Sequence, residues 1–204
     1  MDDQKQNDGQ VGGFAVRSVR LHDFNNDWFS RGRSRFIAAM WLIVSRALVT
    51  SWIPGSAHRC LLLRAFGARI GRRVSIKPGV RIKFPWRLEV GDDSWLGEDV
   101  WIDNLAPVQI GSNCCISQGA YICTGSHDWS SSAFDLIVRP VTIKNCAWVA
   151  AQSTVSGGVT IGEGAVLSLR GVATSDLAPW GIYRGFPAKF VKERQIRTGH
   201  RSND

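Results

Sequence analysis

Proton transfer at neutral pH calls for an imidazole, and the chain offers four, at His22, His58, His127 and His200. A neutral imidazole with an ordinary pKa of about 6.5 takes a proton from an attacking hydroxyl. His127 is the one that falls inside a regular stretch of the sequence, where that regularity is interrupted by DWSSSAFDLIVRP. A lone histidine serves a structure as readily as a reaction, so its position carries the argument. Five cysteines, at 60, 114, 115, 123 and 146, form no Cys-x-x-Cys pair. They stand at no metal-ligand spacing from a histidine, so no metal site is expected. The odd count and the adjacent Cys114 and Cys115 make a poor disulfide framework; they read as buried reduced thiols in a cytoplasmic protein.

The regular stretch that must position His127 is a repeat of six. Ile70, Ile76 and Ile82 are six apart, and after two extra residues the frame resumes with Val90, Leu96 and Ile102. It returns at Ile110, Ile116 and Ile122, and after the His127 interruption at Ile143, Val149, Val155, Ile161 and Leu167. Six fits neither a helix nor a simple alternating strand. It fits a coil of three short strands, each hexad forming one side of a triangular prism with its aliphatic residue inward. Stacked coils then bury one another.

Hydrophobic residues at 44% supply a core and exclude disorder throughout, and 204 residues fit one domain with a small appendage. The net charge of +8 is concentrated from Arg17 to Arg87 and in a C-terminal basic run, which suits an anionic partner. No motif of nucleic-acid recognition accompanies it. Residues 1–34, without a signal-peptide pattern, read as a flexible arm whose VRLHDFNNDW stretch packs on a neighbour. Residues 35–66 read as one or two helices, broken near Ile53-Pro54-Gly55, that cap the first coil. Within them Phe36 to Ile53 carries a single charge, Arg46, and reaches the lower limit for a membrane span. Arg46, Ser45, Thr50 and Ser51 favour a helix packed on the domain or lying in a membrane interface over true insertion. Arg31, Arg33, Arg35, Arg59 and Arg64 flank it and suit an acidic lipid surface, so peripheral contact at the inner face of the cell membrane is open. Residues 67–178 hold the repeat, with a protruding loop over 127–140, and 179–204 read as a loop followed by a short basic helix or tail.

From Gly67 to Lys192 the chain resembles the hexapeptide-repeat acyltransferases, all-β proteins built on a left-handed parallel β-helix. The segments that carry the likeness are GARIGRRVSIKPGVRIKFPWRLEVGDDSWLGEDVWIDNLAPVQIG and TGSHDWSSSAFDLIVRPVTI. They are most similar to the sugar O-acetyltransferases of colanic acid and other exopolysaccharide clusters, and more distantly to the maltose, galactoside and nodulation-factor acetyltransferases. The left hand comes from the resemblance, since the usual crossover rule favours the other. The family implies homotrimers with active sites in the clefts between prisms, acetyl-CoA as donor, a sugar hydroxyl of a small-molecule or glycan acceptor, and no metal.

Carried onto this sequence, the resemblance makes His127 the general base on the acceptor hydroxyl. Asp128, adjacent in sequence, is not assigned as its orienting partner; a backbone carbonyl serves equally. Asn104 resembles an acceptor-site asparagine, with an ordinary turn residue as the alternative. Trp148 matches a cleft-wall tryptophan, or fills the trimer seam. Coenzyme contacts fall at Ala151, Leu169 and Thr174, largely through backbone groups. Ser175 stands where relatives have lysine, a lost phosphate contact that Arg170, Lys189 and Lys192 are placed to replace. Acetylation of a sugar hydroxyl is thus the expected reaction. An N-acyltransferase acting on an amino sugar or antibiotic, and a non-catalytic trimeric scaffold, are the alternatives. The γ-type carbonic anhydrases share the prism but need three histidines around zinc, and the repeat holds one.

Overall fold

An aliphatic side chain at every sixth residue must point into a common interior, and in the computed structural model, which describes residues 18–197, it does. All fourteen repeat positions from Ile70 to Leu167 are buried. They line a prism with three parallel faces. Face A stacks Arg69–Ile70, Leu88–Val90, Val108–Ile110, Val141–Ile143 and Thr160–Ile161. Face B stacks Ser75–Ile76, Trp95–Leu96, Cys115–Ile116, Trp148–Val149, Val166–Leu167 and Gly181–Arg184. Face C stacks Arg81–Ile82, Trp101–Asp103, Tyr121–Cys123, Thr154–Val155 and Val172–Ala173. Register keeps like on like: Ile70 opposite Val90, Leu96 opposite Ile116, Ile122 opposite Val155.

Two corners are invariant in geometry. Between faces A and B, Arg73, Asp93, Asn113, Cys146, Gly164 and Trp180 all have positive φ. Between B and C the same holds for Gly79, Asp99, Gly119, Gln152 and Arg170. A left-handed residue costs about 1–2 kcal/mol away from glycine, and the ladder holds it there. Asp93 N–H, for example, donates to the Arg72 carbonyl at 2.9 Å in the turn before. Coil rides closely on coil: a Cβ at Gly111 would sit 2.7 Å from the Asn145 nitrogen. The third corner, between C and A, has no such fixed turn. It absorbs every length variation, at 83–87, 104–107 and 124–140.

The open first coil is closed by two helices. Helix α1 (Arg35–Val44), whose N-terminus is capped by the Ser34 hydroxyl accepting from Ile37 N–H, runs on through a wider turn over Ser45–Val49. Helix α2 (Ala57–Ala65) follows. Trp41 is buried and donates from Nε1 to the Ile82 carbonyl at 2.9 Å. Ser56 Oγ accepts from Ile76 N–H at 2.9 Å, satisfying an edge amide that no earlier coil can pair.

Arg59 departs from the expectation of a lipid-facing cation. It is fully buried, with Nε on the Val49 carbonyl at 2.8 Å and Nη2 on those of Ser51 and Ile53 at 2.6 and 2.8 Å. Its Nη1 also donates to Gly55. A frayed helix end leaves carbonyls unpaired, and this guanidinium gathers them. Arg64 likewise donates to the Ile70 and Gly71 carbonyls, at 3.0 and 2.6 Å.

Three further expectations are corrected. The described part of the N-terminal arm packs on its own chain: Arg20 N–H donates to the Ser132 carbonyl at 2.8 Å, and Trp86 Nε1 to the Arg31 carbonyl at 2.7 Å. Among the described residues the C-terminal segment forms no helix. Gly181–Arg184 joins face B and Lys189–Glu193 folds back antiparallel on it, because Gly181 and Tyr183 alternate inward with period two and Gly185-Phe186-Pro187 makes the turn. Residues 1–17 and 198–204, with the rest of the expected arm and tail, lie outside the described residues. Of the cysteines, all free, Cys60 and Cys114 are buried while Cys115, Cys123 and Cys146 are half-buried on outer faces or corners.

Replacing Arg59 with leucine strands several buried carbonyls, so Arg59→Leu is expected to lower unfolding free energy by at least about 3 kcal/mol. Arg69→Leu removes an exposed partner of Glu89 and is expected to cost less than about 1 kcal/mol. Urea unfolding followed by tryptophan fluorescence checks both. Burial pushes the Cys114 thiol up to about 11, so only a very small fraction is thiolate at pH 8. Cys114 is therefore expected to stay unlabelled by iodoacetamide at pH 8 in the folded protein, as peptide mapping would read.

Candidate active site

The longest excursion at the variable corner is a hairpin, Gly125–His127 paired antiparallel with Leu136–Val138, His127 facing Leu136. His127 Nδ1 lies 2.8 Å from the backbone carbonyl of Phe134. A carbonyl only accepts, so Nδ1 carries a proton, and in the neutral ring the lone pair is then on Nε2. The Phe134 ring stacks on the imidazole at 4.3 Å and 8°, and Phe24 of the N-terminal segment meets it at 5.6 Å. Phe134 holds φ at 55°, an uncommon conformation for a bulky residue, and it is the residue whose carbonyl aims the ring. Asp128 turns away: its carboxylate accepts from Ser130 N–H at 2.9 Å and from the Ser130 hydroxyl, which hold its pKa below the usual carboxylate range.

His127 borders two concavities. One of about 900 Å³ lies between the hairpin, residues 24–31 and α1, lined by Phe24, Phe29, Phe84, Leu105, Ala38 and Leu42 with Arg31, Arg35 and Lys83 among them. The other, about 270 Å³, lies across the hairpin beside Cys123, Ser126, Trp129 and Arg139. A larger groove of about 1160 Å³ runs along face A past Arg69, Glu89, Gln109 and Lys144 and does not reach His127. Arg87 braces the first cavity, donating to the Leu105 and Ser30 carbonyls while its guanidinium lies over Phe29 and Phe84. Nearby, the half-buried Tyr121 hydroxyl lies 3.1 Å from Cys123 Sγ and 3.3 Å from Asp103 Oδ2, and burial raises its pKa. It stays a neutral donor at physiological pH.

No protein-family model matches the chain. Among curated proteins it is 39% identical over 166 residues to WcaF of Escherichia coli K12, named as a colanic acid biosynthesis acetyltransferase. That match covers 80% of this chain and 91% of WcaF. The chain belongs to the hexapeptide-repeat acetyltransferases. The galactoside O-acetyltransferase of E. coli is 22% identical over 142 residues, 68% of this chain and 70% of that protein. Among solved structures, the acetyl-CoA complex of a hexapeptide-repeat acetyltransferase from Vibrio cholerae superposes with a TM-score of 0.73 at 22% identity, over 79% of this chain and 88% of that one. A galactoside acetyltransferase bound to coenzyme A gives 0.72 at 19%, over 78% and 82%. The shared architecture is the left-handed β-helix.

In this acetyltransferase the expected site residues divide between places on the prism. Thr174 and Ser175 follow Ala173 at the variable corner, on the same edge as His127: Ser156 N–H bonds the Ala173 carbonyl, and the 156–158 turn packs under Thr124 and Arg139. Ala151, Leu169 and Arg170 lie at the B–C corner instead, Arg170 N–H on the Ala151 carbonyl at 3.0 Å and its Nε on Gln152 Oε1 at 2.7 Å. Trp148 stands on face B, 43% exposed, its Nε1 donating to Ser117 Oγ at 2.9 Å. Lys189 and Lys192 are exposed on the terminal hairpin of that face. Among the described residues the N–H groups of Ala151 and Leu169 donate to no carbonyl of the ladder.

Asn104 is corrected. It is fully buried; its Oδ1 accepts from Phe84 N–H at 2.9 Å and its Nδ2 donates to the Phe84 carbonyl at 2.7 Å. Both polar ends are engaged in locking two coils together, and the fully buried side chain faces no cavity that His127 borders. Phe134, through its carbonyl, is the contributor that sequence reasoning missed. Asn104→Ala is expected to cost about 1–3 kcal/mol of folding stability, read as a lowered urea midpoint. An unchanged midpoint with a raised acceptor KM would return Asn104 to the acceptor site.

Proposed function

We propose that this enzyme transfers the acetyl group of acetyl-CoA to a sugar hydroxyl of an exopolysaccharide or its precursor, with His127 as general base. The observation that carries the reading is the fixed imidazole, its Nδ1 engaged by the Phe134 carbonyl, at the edge of a large cavity. His127 Nε2 takes the hydroxyl proton as the oxygen attacks the thioester carbonyl; the C–S bond breaks, and the imidazolium returns the proton to the departing thiolate. The stacked Phe134 ring and the tilted Phe24 ring hold it in line without a carboxylate.

The cofactor residues support an assembly larger than one chain. Trp148, Ala151, Leu169 and Arg170 occupy a face and corner other than the one that carries His127, so a site using all of them draws His127 from one prism and the coenzyme corner from its neighbour. A homotrimer provides that cleft, with Thr174 and Ser175 on the His127 side and Lys189 and Lys192 as cations for the coenzyme phosphates. The similarity to WcaF supports the exopolysaccharide assignment. A peripheral place at the inner face of the cell membrane belongs to the same reading: among the described residues no helix is long and apolar enough to cross a membrane.

Turnover of acetyl-CoA over a panel of glycan precursors tests the proposal. His127→Ala is expected to lower kcat by about 10²–10⁴-fold while coenzyme A binding by calorimetry stays unchanged. Full activity of a folded His127→Ala protein would refute the base assignment.

A further inference from the structure

Helix α1 is apolar on more sides than the prism covers. Trp41, Ser45 and Val49 face the first coil, and Ala38 and Leu42 line the His127 cavity. Phe36, Met40 and Ile43 form a third stripe at i, i+4 and i+7 that faces solvent, Phe36 at 73% and Ile43 at 69% exposed. The chain then adds Trp52, 84% exposed, and Leu61 on α2. A helix apolar all round belongs in a core or in lipid, and this one is only partly in a core.

The charge around that stripe is of one sign. Between Asp27 and Glu89 the sequence has thirteen arginines and lysines and no acidic residue. Of these, Arg59 and Arg64 are spent on carbonyls within the cap. Arg31, Arg33, Arg35 and Arg46 are exposed on and just before the helical cap. Two copies packed through this face would bring arginines together with no carboxylate of the segment to meet them. An anionic lipid surface answers both needs, burying the aliphatic and tryptophan side chains at the headgroup boundary and neutralising the arginines.

We propose that the outer stripe of α1 with Trp52, rimmed by Arg35 and Arg46, docks the enzyme on an anionic bilayer. This rests on the peripheral placement given above and names the surface that achieves it. Because the next stripe of α1 lines the His127 cavity, docking holds that cavity against the lipid headgroups.

Flotation of the full chain with vesicles tests the inference. Wild type is expected to float with phosphatidylcholine:phosphatidylglycerol vesicles at 7:3, not with phosphatidylcholine alone, and to be released by about 0.5 M salt. Arg46→Glu is expected to weaken binding about tenfold or more, and the triple variant Phe36→Ser, Ile43→Ser, Trp52→Ser to abolish it. Both should keep wild-type thermal melts and acetyl-CoA turnover on a soluble acceptor, which places the loss in the face and not in the fold. Wild type left unbound by anionic vesicles, or folded variants that bind as it does, would overturn the proposal. So would a triple variant that loses self-association in sedimentation but not vesicle binding. Vesicle binding by a wild type that acetylates no sugar would support docking while counting against the reading of the His127 site.

Discussion

Everything in this molecule depends on the coincidence of parallel registers: an aliphatic side chain in each hexad must land on one in the coil before. Ile76, Leu96, Ile116, Val149 and Leu167 do so along face B, all at or near zero exposure. The stack permits no slack at the two corners where a single left-handed residue turns the chain. Insertions are therefore forced to the third corner, and it is there that the His127 hairpin leaves the prism. On the proposed reading, the packing thereby also decides where the chemistry sits.

If the expected coenzyme residues are used, that constraint also divides the site. A hairpin at the C–A corner and a row of corner amides at the B–C corner of one rigid prism do not converge on each other. On the proposed reading, a neighbouring prism supplies the missing half, and the cavity beside His127, walled by aromatic rings and rimmed by Arg31, Arg35 and Lys83, receives the acceptor. The helical cap serves three surfaces at once: Arg59 and Trp41 seal the first coil, Ala38 and Leu42 wall the cavity, and Phe36 and Ile43 meet the environment.

The prism was legible because its signal is periodic and uses large side chains; Ile70 through Leu167 declare the faces without any structure. His127 was legible as the imidazole at a break in that period. What depended on backbone groups was not. The Phe134 carbonyl that orients the ring has no signature in residue type, and Arg59 reads as a surface cation until four carbonyls are seen around it. The coil-locking contacts of Asn104 were not legible, because an asparagine that turns a chain and one that locks two coils look alike in sequence. The terminal hairpin hid behind a basic run, where two inward residues, Gly181 and Tyr183, gave too short an alternation to outweigh helix-forming neighbours.

If two chains build one active site, defects in the two halves complement each other. His127→Ala subunits and subunits bearing Arg170→Glu with Lys189→Glu, each silent alone, are unfolded together and reassembled. Mixed oligomers are expected to recover acetyl transfer, because some clefts then pair an intact histidine with an intact coenzyme corner. Mixed oligomers as silent as either parent would contradict a two-chain site.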